Sequence, residues 1–315
     1  MIPAFDINLA QKKAELAILK TLIYFDIFDY PLSEKEIKNF LPYEISSEIF
    51  TPALLQLSFD KIIFHIGEFY SLQNNRQRAE ERLQGNLRAQ PLLKTAAKIA
   101  AFLYKFPYVR AVAVSGSLSK NYADKKADID FFIITKANRL WVARTILHVF
   151  KKITFLVGKE NFFCMNYFID EEDLMIPEKN IYTAVEIVTL LPLAGTFTLN
   201  KFFEKNNWTQ KLLPAYEFRR NWKTAERGSG LKKFTEWLFS GTAGEKLDRF
   251  LFRWTTRRWQ KKEQQGRKNS KGKVMNLVTG RHFSKSNPET FQEKILARYN
   301  DKIAWYFRYH PHYFD

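Results

Sequence analysis

A single cysteine, Cys164, occurs in 315 residues. That excludes an intramolecular disulfide and any multi-cysteine zinc or iron–sulfur site, and it points to a reducing compartment, with the cytosol as the default. The five histidines show no His-Glu-x-x-His or comparable ligand spacing, so a zinc enzyme is not expected. No Gly-x-x-x-x-Gly-Lys-Ser/Thr run is present, which leaves a Walker-type ATPase without support. Long apolar runs are missing too. The most apolar stretch, Ala184 to Phe197, carries Glu186 and is shorter than the ~20 residues that span a bilayer. The N-terminus has no basic cluster leading into an apolar segment, so neither secretion nor membrane spanning is expected.

What is present is a chain that can bury cores. At 46% apolar and 16% aromatic, it rules out disorder as the overall description and has length for two or three modest cores. The net charge of +17 is uneven. Residues 1–100 carry 12 basic and 12 acidic side chains, 101–200 carry 12 and 10, and 201–315 carry 26 and 11. A polyanionic partner would therefore meet the C-terminal third first.

The first segment reads as helices followed by a hairpin. Leu16, Leu19, Ile23 and Phe25 recur at helical spacing within 10–28, and Asp29-Tyr30-Pro31 ends that helix. Ser33 with Glu36 has the form of a capping box, in which hydroxyl and carboxylate satisfy orphan amides reciprocally. A helix over 47–58 leads into two apolar strands hinged near Gly67. Three helices and a small hairpin describe a winged helix over 1–73. Its helix before the wing has no Lys or Arg, which equips it poorly for DNA and suits packing or protein binding. A connecting helix is expected over 74–91, then an α/β unit over 92–200 with strands at 109–114, 128–135 and 161–169. Helices are expected at 92–106, 139–150 and 181–191, the last ended by Pro192. A basic helical region over 201–315 follows, with an exposed basic loop at 266–273.

The constellation that carries chemistry is Ser115-Gly116-Ser117 at the end of an apolar strand, followed ten residues later by Asp128-Ile129-Asp130-Phe131. Side chains alternate along a strand, so Asp128 and Asp130 project from one face. Two carboxylates that close repel unless a cation lies between them, and paired hard oxygens suit Mg²⁺ shared with substrate phosphates. Gly116 lets backbone approach a phosphate, and Ser117 offers a hydroxyl at the start of a helix.

This pattern resembles the DNA polymerase β-like nucleotidyltransferase superfamily, in which an apolar residue, Gly, and Gly or Ser precede Asp-apolar-Asp/Glu-apolar by about ten residues. Gly116, Ser117, Asp128, Ile129, Asp130 and Phe131 stand at those positions. The resemblance implies a transferase core with a small mixed sheet, an NTP as substrate, and Mg²⁺ or Mn²⁺ on Asp128 and Asp130. An acceptor hydroxyl, on RNA or a small molecule, attacks the α-phosphate and pyrophosphate leaves. Ser115, Gly116, Ser117 and Lys120 are the nucleotide-binding candidates.

Catalytic members of that superfamily place a third acid on the next strand, and here its interior has none. Counted in twos, Cys164, Asn166, Phe168 and Asp170 share a face. Asp170 is then the nearest catalytic candidate, Asn166 a neutral replacement, and Glu186 the other acid available. Arg139 and Arg144 could reach phosphates, and Trp141 could pack beneath a base. In the C-terminal third, Leu247, Phe250, Leu251 and Trp254 at helical spacing, flanked by Arg249, Arg253, Arg257, Lys261 and Lys262, suit an RNA surface, an anionic membrane surface or a packed aromatic stripe. The competing class is a transferase-fold adaptor without turnover, binding nucleic acid or protein.

Overall fold

The computed structural model describes residues 4–155, 163–216, 230–268, 277–286 and 290–311. Its architecture is a six-stranded mixed sheet with helices on both faces, joined to an N-terminal helical unit.

In that unit, α1 (Ala4–Asp26), α2 (Glu34–Asn39) and α3 (Ser47–Phe59) precede a hairpin of β1 (Phe64–Ile66) and β2 (Phe69–Ser71). The capping box forms as the sequence requires, with the Glu36 amide donating to Ser33 Oγ and the Ser33 amide donating to the Glu36 carboxylate. Gly67 takes the left-handed conformation that closes the hairpin (φ +62°). Ile18, Leu19, Ile23, Phe50 and Leu57 fill a core in which α7 (Ile181–Val188) and α11 (Phe291–Tyr309) also take part. The end of the chain thus packs on its beginning: Lys302 of α11 pairs with Asp26, and Tyr299 meets the Tyr24 ring edge-on at 5.7 Å.

Two helices expected over 74–91 and 92–106 are one continuous helix, α4 (Arg76–Leu103), with Pro91 inside it. Packing overrides the proline, because Ala89 is fully buried on the sheet side and Arg88 donates to the Ala123 carbonyl at 2.9 Å. Near the start of α4, Arg82 is buried. Its charge is matched by Glu36 at 2.6 Å, and its guanidinium lies 4.0 Å from the Tyr30 ring centre.

The sheet runs β6 (Leu191–Ala194), β3 (Val109–Val114), β4 (Asp130–Thr135), β5 (Cys164–Asp170), β8 (Phe283–Ser286), β7 (Leu277–Thr279). Only β4 and β5 are parallel. The expected helix through 191 stops at Val188, and Pro192 lies within β6. An edge strand tolerates a residue that cannot donate to the ladder. Gly195 follows at φ +80°, where a side chain would strike the Arg110 carbonyl. The C-terminal region is not only helical: β7 and β8 extend the sheet from β5. Its helices include α9 (Gly230–Leu238) and α10 (Gly241–Gln264). Residues 269–273 of the basic loop lie outside the described residues.

Alternation divides the two faces. Val112, Val114, Phe131 and Ile133 point toward α4 and α6 (Leu140–Phe155), while Ala111, Ala113, Phe132 and Ile134 point toward α7 and α8 (Thr196–Lys205). On β5 the count in twos fails. Phe131 pairs with Met165 but Phe132 pairs with Tyr167, so Asn166 occupies a bulge and the strand changes phase. Asn166 stays on the face of Asp130, while Asp170 turns to the opposite one. There Asp170 is fully buried. It accepts from the Asn138 and Glu172 amides at 2.9 and 3.0 Å and lies 3.0 Å from His282 Nδ1. These contacts tie β5 to the loop before α6 and set Asp170, the expected catalytic acid, on the sheet face opposite to Asp130. Arg139, Arg144 and Trp141 are likewise buried on that face. Arg139 donates to Gly241 O, and Trp141 Nε1 donates to Arg281 O. Burial lowers the Arg144 pKa to about 10.

Two expectations follow for stability. Asp170→Ala removes the buried acceptor shared by the Asn138 and Glu172 amides and His282, so it should cost about 2 kcal/mol and lower the thermal midpoint by several degrees in a melting experiment. Lys232 donates to the Tyr104 and Val109 carbonyls, and burial lowers its pKa from 10.5 to about 8. Between those values the unfolded chain holds more protons than the folded one at this site, so stability rises with pH. Wild type should gain on Lys232→Met as pH goes from 8 to 10 in denaturant titrations.

Candidate active site

β3 ends at Val114, and the chain bends through Ser115 and Gly116 into the single turn α5 (Gly116–Ser119). The Ser115 amide donates to the Asp130 carbonyl at 2.9 Å, which holds the bend to the first residue of β4. Gly116 sits at φ +70°, and a Cβ there would lie 2.9 Å from Asp130 Oδ2. A glycine is therefore required twice over, for its conformation and for the space that the carboxylate fills. The other oxygen, Oδ1, accepts from Asn166 Nδ2 at 2.5 Å, the residue that the β5 bulge keeps on this face.

Asp128 lies outside β4, two residues before its start, and Ile129 between the two aspartates is fully buried. Cys164, the strand partner of Asp130, is raised to about pKa 12 by burial first and then by the charges of both Asp130 and Asp128. Both carboxylates are thus close enough to act on one thiol. Asp130 lines a cavity of about 540 Å³, and Asp128 does not. Ser115, Gly116, Ser117 and Lys120 also line it. Lys120 donates to Gly116 O at 3.1 Å and to Glu186 Oε1 at 2.8 Å, so its ammonium buttresses the bend and carries its own counter-charge. The helix expected after Ser117 is a four-residue turn and contributes little dipole.

Glu186, on α7, is the one carboxylate besides Asp130 among the described residues that line the cavity. Tyr182, one turn earlier on α7, has its phenol pKa raised by burial, then by Glu186, then by Asp130. The acids therefore face a common space from two elements. Asp170, Arg139, Arg144 and Trp141 are not among the cavity's walls.

Sequence reasoning missed most of those walls. Tyr24 and Phe25 of α1, Phe28 and Tyr30 just beyond it, Tyr122, and Phe291 of α11 all face the cavity. Tyr30 links the N-terminal unit to the bend directly, its hydroxyl donating to Lys120 O at 2.6 Å. No local pattern marks these residues, because they converge only when α1 and α11 pack against α7.

Comparison of the chain with curated proteins and with solved structures finds no significant match. The family model described as nucleotidyltransferase domain matches residues 93–209. That span runs from α4 through β3, the glycine bend, β4, β5 and α7 to the turn after α8. Over residues 93–209 the chain is thus similar to the nucleotidyltransferase domain family.

Proposed function

We propose that this chain moves a nucleoside monophosphate from an NTP to a hydroxyl acceptor with release of pyrophosphate, the triphosphate lying against the Gly116 bend beside Asp130. The supporting observation is the fit of Asp130 Oδ2 into the space that glycine leaves. A carboxylate and a stretch of approachable backbone then face one ligand together.

The donors available suit a divalent ion shared with substrate. Among the described residues no three His, Cys, Asp or Glu side chains converge as a metal cage, and Mg²⁺ characteristically takes one or two carboxylates with phosphates and water. Asp130 and Asp128 would hold Mg²⁺ or Mn²⁺. Such an ion, when bound, neutralises phosphate charge and aligns the attacking and leaving oxygens.

The protein's own groups do the rest. Ser115 and Ser117 offer hydroxyls at the bend, and Lys120 stiffens it through Gly116 O. Asn166 fixes the Asp130 rotamer and cannot itself take a proton. The acceptor oxygen forms a bond to the α-phosphorus with its lone pair. The bond from that phosphorus to the bridging oxygen breaks, and its electrons leave with pyrophosphate. The acceptor's proton passes to Glu186, the remaining carboxylate in the cavity. With this role the chain divides into a winged-helix-like unit (1–73), a connecting helix (74–91), the transferase core (92–200) and the C-terminal region (201–315), acting in the cytoplasm.

Asp130→Asn and Asp128→Asn are expected to abolish Mg²⁺-dependent NTP binding and transfer with an unchanged thermal midpoint; calorimetric titration with NTP that gave wild-type affinity for both would refute the metal assignment. Glu186→Gln should lower kcat roughly 100-fold while the KM for NTP changes little, and an unaltered kcat would remove Glu186 from the chemistry.

A further inference from the structure

The cavity beside Asp130 is walled chiefly by rings. Ten of its lining residues are aromatic, and Ile176, Ile187 and Leu190 add aliphatic surface. Its cations, among the described residues, are two lysines, each already matched: Lys120 by Glu186, and Lys285 by Glu178 at 3.2 Å and Gln292 at 2.8 Å. The polar rim near α11 is thus internally satisfied, and Gln292 Nε2 also reaches Thr183 Oγ1.

The basic residues lie elsewhere. α10 carries Arg249, Arg253, Arg257, Arg258, Lys261 and Lys262. It packs through Leu251 and Phe252 onto the cluster beneath α6, the sheet face opposite to the one that holds Phe132, Ile187 and Phe202. A polynucleotide following that charge would run behind the sheet from the reacting groups. Binding along a polynucleotide backbone depends on many Lys and Arg contacts to successive phosphates, and the cavity, among the described residues, has two lysines, both already paired.

Resting on the transferase assignment, we propose that the acceptor is a small, predominantly apolar, hydroxyl-bearing aromatic molecule, taken into this ring-lined cavity with its hydroxyl toward Asp130 and Glu186. Rings on several sides exclude water and contribute area and stacking to a flat apolar guest. Its oxygen forms the new bond to the α-phosphorus, its proton goes to Glu186, and pyrophosphate carries away the electrons of the broken bond. Phe28 and Phe291, each 38% exposed, form the accessible part of the wall.

The test has two arms, both on the full chain. In the first, each α-labelled NTP is incubated with Mg²⁺ and total cell extract. Label is expected in a low-mass, butanol-soluble product that resists ribonuclease and protease; label on RNA or on protein would overturn the proposal. In the second, 2-naphthol serves as the probe and its fluorescence is titrated with protein. Saturable binding that coexists with bound NTP and Mg²⁺ is expected, weakened about tenfold in Phe28→Asp or Phe291→Asp, while NTP affinity stays within about twofold of wild type. Absence of saturable binding, mutual exclusion with NTP, or unchanged affinity in both variants overturns it, including when the first arm yields no labelled product. NTP binding by wild type is read separately, and its failure would count against the transferase assignment rather than against the acceptor class alone.

Discussion

The site depends on one steric relation: a carboxylate, Asp130, occupies the volume that any side chain at residue 116 would claim. Around it the constraints are mutual. The Ser115 amide holds the bend to the backbone of the aspartate, Asn166 fixes the second carboxylate oxygen, and Lys120 braces the bend from below while tied to Glu186. An anionic group held in a single rotamer is what a shared divalent ion needs, since it removes the ordering that binding would otherwise impose. No strong local propensity makes this arrangement; it exists because β3 and β4 are adjacent and antiparallel.

Around that fixed point the rest of the molecule builds a room rather than a groove. The N-terminal helices do not stand apart from the transferase domain. Ala184, Val185 and Val188 of α7 belong to the same core as α1 and α3, and α11 closes it from the other end of the chain. Tyr30 then spans the junction, with Arg82 under its ring and the Lys120 carbonyl at its hydroxyl. Burial raises the Tyr30 phenol pKa strongly, so the hydroxyl stays protonated and remains a donor across any physiological pH. The helical unit thereby supplies cavity wall as well as packing, which no reading of it as a separate module anticipates.

Much of the site is legible in the sequence. Gly116, Asp128 and Asp130 were visible because a bend and a strand of period two are local features with strict residue requirements. The capping box at Ser33 and Glu36 was legible for the same reason. Asp170 lies on the other face from the one a count in twos gives because a single bulge at Asn166 inverts every later side chain on β5, and bulges leave little trace in one sequence. Pro192 misled because proline reads as a helix stop, whereas at a sheet edge it is simply compatible with the strand. Pro91 was absorbed into α4 because buried contacts on both sides outweigh one missing hydrogen bond. The hairpin of β7 and β8 is not marked in the sequence because β8 is largely polar, Phe283-Ser284-Lys285-Ser286, unlike the apolar run that marks β1 and β2.

The sequence by itself determined the chemistry that the chain can present: two acids one residue apart after a glycine bend, within an alternating helix and strand order, on a chain whose basic charge is concentrated at its end. These are properties of neighbours, fixed by covalent spacing. Tertiary structure alone decided which acids share a space, placing Glu186 in the cavity and Asp170 behind the sheet. It also decided that the basic helix and the cavity's two acids occupy opposite faces and that rings from distant segments enclose that cavity. Such relations arise from the packing of elements far apart in the chain, and one sequence does not encode that packing in any local pattern.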